Sequence, residues 1–212
     1  MKFFLLLGVL FLVACSKQDN SHQEIEKSTN QENSIEKALA FVSEQKKNAD
    51  SYSQTDKAVY LDMLNMVAVI RTLYPNFPAQ YIEEENLFQA TGIDEEAVTS
   101  FNRFNDWKSI KVLHNKTDQN VNHLTVEVYD QKSYEQSKKE AFELCKNIWM
   151  NIDHRVPKVI DELAMRLKEY EHGNSSATTT HIRYGYKYHL DSSHYLDGYP
   201  VVCTVAYDKP RD

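Results

Sequence analysis

The sequence predicts an α+β domain, with a mainly helical N-terminal half, then a hairpin, two helices and a final hairpin, the helices packing on a small antiparallel sheet. Three observations predict it. Apolar residues recur at helical spacing before residue 75 and again over 133–170, and cleanly alternating stretches occupy 107–129 and 181–207. Residues 35–212 are also long enough to bury one sizeable core.

Asn33 and Glu36 form a capping-box pattern ahead of Ile35, Ala38, Leu39 and Val42, which share one helical face. A second helix is expected from Asp56 to Tyr74, with Val59, Tyr60, Met63, Leu64, Val67, Ile70 and Leu73 as its apolar stripe and Pro75 as its stop. Two short helices should follow, one over Pro78–Ala90 ending at Gly92, the other over Asp94–Phe104 with Asp94, Glu95 and Glu96 complementing its dipole. Glu83, Glu84 and Glu85 on the first of these make an acidic patch, either a solvated face or a docking surface for a cationic protein. They lack the loop spacing of calcium ligands.

Trp107–His114 and Val121–Tyr129 alternate on either side of a turn-like Asn115–Asn120, the pattern of a hairpin with one buried face. Ser133 and Gln136 cap a helix running to Met150, with Ala141, Phe142, Cys145, Ile148 and Trp149 facing inward. Pro157 and Gly173 frame another, carrying Val159, Ile160, Leu163, Leu167 and Tyr170. His181–Leu190 then reads as one strand, Asp191–His194 as a turn, and Val201–Tyr207 as the return. Tyr184, Tyr186 and Tyr188 fall on one side of that strand and admit two readings: packing against the sheet, or a tyrosine-rich partner surface. His189 and His194 straddle the turn without a third ligand, so no metal is assigned.

The chain begins Met1-Lys2 and runs through an apolar Phe3–Val13, too short for a bilayer span of roughly 20 residues and of the size of a signal-peptide core. Leu12-Val13-Ala14-Cys15 resembles the lipobox of bacterial lipoproteins. That resemblance covers residues 1–15 only. It implies cleavage before Cys15 and acylation of Cys15, each buried methylene contributing about 0.8 kcal/mol of membrane affinity. Ser16, where Asp would favour inner-membrane retention, implies the outer membrane facing the periplasm; the outer surface of a single-membrane cell is the alternative. Residues 15–34 hold one apolar residue, Ile25, among Ser, Asn, Gln and Glu, and are expected to form a flexible tether. The organisation is thus 1–14 signal peptide, 15–34 lipidated tether and 35–212 globular domain.

Removal of residues 1–14 deletes one charge, Lys2, from a total of −7, leaving −8. Nucleic acid is a poor partner for so acidic a chain, and a basic protein an easier one. With Cys15 taken by lipid, Cys145 and Cys203 remain in an exported chain, where a disulfide is expected; two buried thiols are the alternative. No Gly-x-Ser-x-Gly elbow, His-Glu-x-x-His helix or glycine-rich phosphate loop is present, so no catalytic residue or cofactor is assigned. These readings point to a membrane-anchored protein-binding module, of which an immunity or exclusion lipoprotein is a specific case. The alternative is an envelope-maintenance lipoprotein that binds a small ligand or cell-wall fragment or assists assembly.

Overall fold

The computed structural model describes residues 35–44, 47, 57–92, 100–167 and 177–209. All of them belong to the second of the two units into which the chain divides, Met1–Ser34 and Ile35–Asp212. The expected signal segment, Cys15, the tether, Asp94–Glu96 and Gly173 lie outside the described residues.

The two clean sequence alternations become the centre of the sheet. Trp107–His114 (β3) and Val121–Tyr129 (β4) pair antiparallel with Ile110 opposite Val126 and Val112 opposite Leu124, and Val201–Tyr207 (β7) adds to β4 with Cys203 opposite Val126. Because side chains alternate across a strand, this register stacks Ile110, Val112, Leu124, Val126, Cys203 and Val205 on one face, all essentially inaccessible to water. Ala79–Ile82 (β1) and Leu87–Thr91 (β2) extend the sheet on one side, Thr178–Arg183 (β5) and Tyr186–Asp191 (β6) on the other. The result is a seven-stranded antiparallel sheet in the order β1-β2-β3-β4-β7-β6-β5.

Helices cover its apolar face. Ser133 accepts the backbone N–H of Gln136 and starts α3, Tyr134–Met150, as the capping pattern predicts. Its buried Ala141, Cys145, Ile148 and Trp149 lie over β4 and β7. α4, Arg155–Arg166, packs on α3 and against β5 and β6 through Val156, Val159, Ile160 and Leu163. A helical segment at 35–44 (α1) buries Ala38 and Val42, and Met63–Leu73 (α2) packs on β3 and α3. Each fully buried Ile, Leu or Val here contributes roughly 1.5–3 kcal/mol. Among the described residues no helix is long and apolar enough to cross a membrane.

The structure corrects the sequence reading at four places. The α+β class stands, but the N-terminal half is not all helix: Pro78–Ala90 folds as the β1–β2 hairpin, closed by a 3₁₀ turn at Glu83–Glu85 and by Asn86 at φ 51°. Residues 100–106 are irregular rather than the end of a helix. The second helix starts at Met63, where Asp62 caps Asn65, and not at Asp56. Residues 57–61 are neither helix nor strand and are tied down from afar instead: the Tyr186 hydroxyl accepts the Val59 N–H (2.7 Å) and the Tyr207 hydroxyl donates to Val59 O (3.0 Å) and accepts the Leu61 N–H (3.2 Å). Finally, 181–190 is not one strand. Tyr184 (φ 56°) and Gly185 (φ 76°) form a two-residue turn between Arg183 and Tyr186, the conformation of a type I′ hairpin.

Asp153 anchors this junction. It is wholly buried at the start of α4, takes the Arg155 guanidinium on both oxygens (2.9 and 2.7 Å), accepts the Arg155 N–H and the Tyr186 hydroxyl, and so ties the helix, β6 and residue 59 into one network. Arg155 also donates to Lys57 O.

Candidate functional site

The face of the sheet opposite the helices is polar at its centre. Lys111 on β3, Glu127 on β4, Val202 on β7 and Asp191 at the end of β6 point to that side, since each alternates with a buried core residue. Two loops rise over them, 100–106 before β3 and 192–200 between β6 and β7. Between floor and loops lies a half-open groove of about 670 Å³, walled by Phe101, Arg103, His194, Asp197, Tyr199 and Pro200. That volume lies within the range of roughly 300–1,000 Å³ usual for ligand sites.

The loops are locked to one another. Gly198, at φ 84°, closes the 3₁₀ turn Tyr195–Asp197 and gives its carbonyl to the Phe104 N–H (3.2 Å). The Phe104 ring lies against Gly198 so closely that a Cβ there would sit 2.8 Å from it. Phe104 itself adopts φ 64°, a costly conformation for an aromatic residue. The outcome is that Phe104 and Tyr199 stay about half exposed, at 50% and 41%, with the Arg103 guanidinium 5.5 Å from each ring centroid. Phe101 packs its ring on Tyr199 on one side and edge-on to Trp107 on the other.

Charge on the floor is organised in two parts. Glu127 accepts from Lys111 (2.9 Å) and from the Trp107 indole N–H (2.9 Å), so the Lys111–Glu127 pair cancels internally. Asp191 accepts the Ser193 N–H (2.8 Å), the Ser193 hydroxyl (2.6 Å) and the Thr178 hydroxyl (2.9 Å) on one oxygen, while its other oxygen faces His189 at 3.8 Å. Burial alone would raise the Asp191 pKa; the Ser193 and Thr178 hydrogen bonds and the nearby His189 outweigh it and hold the carboxyl below its usual range. Asp197 pairs with His194 at 3.3 Å. Among the described residues no three His, Cys, Asp or Glu side chains converge on a point where a metal would sit.

The sequence-derived candidates fall elsewhere. Glu83, Glu84 and Glu85 are exposed on the β1–β2 turn. Tyr186 and Tyr188 are fully buried beneath α3 and α4, which removes them from any partner surface, and burial pushes both phenols well above their ordinary pKa. Tyr184 lies half-buried at the turn, its ring between the guanidinium groups of Arg155 and Arg183, each 4.8 Å away. Cys145 on α3 and Cys203 on β7 come to disulfide distance, their Cα atoms 6.4 Å apart. Cys15 is outside the described residues. His189 faces Asp191 at 3.8 Å and His194 faces Asp197 at 3.3 Å, and among the described residues no group of three metal ligands forms around either pair.

Sequence reasoning missed Arg103, Lys111, Glu127 and Tyr199. A partial signal existed, because Lys111 and Glu127 occupy outward positions of a hairpin whose pairing the alternation already fixes. Comparison with protein-family models, curated proteins and solved structures finds no match to this chain.

Proposed function

We propose that the chain is a membrane-anchored lipoprotein of the cell envelope that acts as a protein-binding module of the immunity or exclusion type, tethered through Cys15 to the outer membrane and facing the periplasm. The anchoring half of this reading rests on Leu12-Val13-Ala14-Cys15 and the polar stretch after it. The binding half is carried by one observation: exposed Phe104 and Tyr199, each with its ring centroid 5.5 Å from the guanidinium of Arg103, which lines the groove together with Tyr199. Aromatic residues and arginine dominate the energetics of protein interfaces, and here they sit on loops held by a backbone hydrogen bond and a ring-on-glycine contact, so little ordering cost remains to be met on binding.

The second reading, a receptor for a small ligand or cell-wall fragment, is favoured by the volume of the same groove. Two experiments separate the possibilities. Fatty-acid labelling of the wild type and of Cys15→Ala tests the anchor: label in the first and none in the second is expected, and an unlabelled wild type would remove it. Capture from the native envelope by the wild type and by Phe104→Ala/Tyr199→Ala tests the binding. A single protein retained by the first and lost by the second supports the module; recovery of cell-wall fragments alone supports the receptor.

A further inference from the structure

We infer, resting on the protein-binding reading above, that the groove on the open sheet face receives a cationic side chain, arginine or lysine, from a basic partner protein. The inference comes from the charge that is left over. Of the ionised groups lining the groove, Lys111 and Glu127 satisfy each other. Arg103 lies over Phe104 and Tyr199 on the exposed 100–106 loop. Asp191, whose second oxygen faces His189 at 3.8 Å, and Asp197, which faces His194 at 3.3 Å, are the remaining acidic groups, two carboxylates against one rim guanidinium, within a mature chain of charge −8 once Lys2 is removed from the total of −7. The excess is negative at both the local and the whole-molecule scale, which steers a basic partner toward the site and is screened by salt.

The walls suit a flat or elongated cation. Tyr199, 41% exposed with the Phe101 ring packed on it at 5.8 Å, lines the same groove as the carboxylates, and aromatic rings attract guanidinium and ammonium groups. Arg103 on Tyr199 is an internal instance of the same stacking. Asp191 is fixed by Ser193 and Thr178 through one oxygen, which holds its second oxygen, 3.8 Å from His189, in place to accept a further donor. An acidic side chain would be repelled by that arrangement, and an uncharged donor would gain a hydrogen bond there without the ion-pair attraction.

The test uses the full-length protein in detergent micelles and three capped tripeptides, acetyl-Gly-Arg-Gly-amide and its Glu and Gly counterparts. The reporter is native: Trp107 donates its indole N–H to Glu127 on the groove floor, so occupancy should change its fluorescence. The expected result is a saturable change with the arginine peptide that weakens with salt, at least about tenfold tighter than with the glutamate peptide. Asp197→Asn, at a 46% exposed side chain and therefore safe for folding, should weaken it several-fold, and Asp191→Asn/Asp197→Asn should abolish it. Arg103→Ala should leave it intact or tighten it. Equal response to all three peptides, no saturable response to the arginine peptide, or preference for the glutamate peptide dependent on Arg103 would each overturn the inference. Retention of a partner by Phe104 and Tyr199 would still stand in those cases, so failure here and failure of the protein-binding reading are distinguishable.

Discussion

Replacing Asp153 by Asn strikes the network that ties residues 57–59 to α4 and β6. The carboxylate is completely inaccessible, and both of its oxygens are used: one by Arg155 Nε (2.9 Å) and Arg155 N (3.1 Å), the other by Arg155 Nη2 (2.7 Å) and the Tyr186 hydroxyl (3.2 Å). Asparagine keeps the shape but turns one acceptor into an amide donor facing groups that also donate, and it leaves a buried guanidinium without its counter-charge. Breaking one side of such a buried pair costs about 3–5 kcal/mol, a large part of a total stability of about 5–15 kcal/mol. For a domain of this size the midpoint of thermal unfolding should fall by about 6–20 °C, taking about 2–4 °C per kcal/mol. Urea titration followed by tryptophan fluorescence reads the loss, because Trp149 packs edge-on against Tyr186. Native-state hydrogen exchange reads the location: the Val59 N–H, held by Tyr186, should exchange faster. Asp153→Asn/Arg155→Leu should recover about 1–3 kcal/mol of the loss, since the uncompensated charge is gone. A loss below about 1 kcal/mol, or strict additivity of the two substitutions, would refute the assignment of Asp153 as the anchor of residues 57–61.

Gly198→Ala should cost more than about 1 kcal/mol and weaken groove binding, because φ 84° and the Phe104 ring 2.8 Å from the new Cβ both oppose it; unchanged thermal stability would contradict that. If Cys145 and Cys203 are bridged, intact mass should rise by two hydrogen atoms on reduction with an added dithiol, and reduction should cost about 4 kcal/mol for a separation of 58 residues; equal masses would exclude the bridge. Tyr188→Phe should be near neutral at pH 7, since its buried hydroxyl has no partner among the described residues. Because burial raises the Tyr186 and Tyr188 pKa values, their contribution to stability is complete below the unfolded value of about 10 and is lost as pH rises above it, so Tyr188→Phe should flatten the alkaline loss of stability expected of the wild type.

What the sequence reveals divides along local and non-local lines. The β3–β4 hairpin is legible because one face is buried and the other is not, so period-two alternation survives in Trp107–Tyr129, and α3 is legible because Ser133 and Gln136 mark its start. β2 is not legible: Leu87–Thr91 is buried on both faces and shows no alternation, while Glu83–Glu85 are good helix formers placed where Asn86 turns the chain back. The irregular 57–61 segment resists local reading for another reason, since its hydrogen-bond partners, Tyr186 and Tyr207, lie more than a hundred residues away. Tyr184-Gly185 was the readable clue to the β5–β6 hairpin, a single glycine interrupting an alternating run. The groove is the least legible feature. Its residues come from three separated stretches, and each alone resembles an ordinary solvated side chain.

A photo-crosslinking residue installed at Tyr199, with Met165 as the control position, tests the central claim most directly in the native envelope. Tyr199 stands at the groove mouth, whereas Met165 is 80% exposed on α4, the helix packed against the other face of the sheet. A lipid-tethered module that binds through the open sheet face should give one discrete protein adduct from position 199, none from 165, and loss of that adduct with Asp191→Asn/Asp197→Asn. No adduct at 199, or the same adducts from both positions, would contradict it.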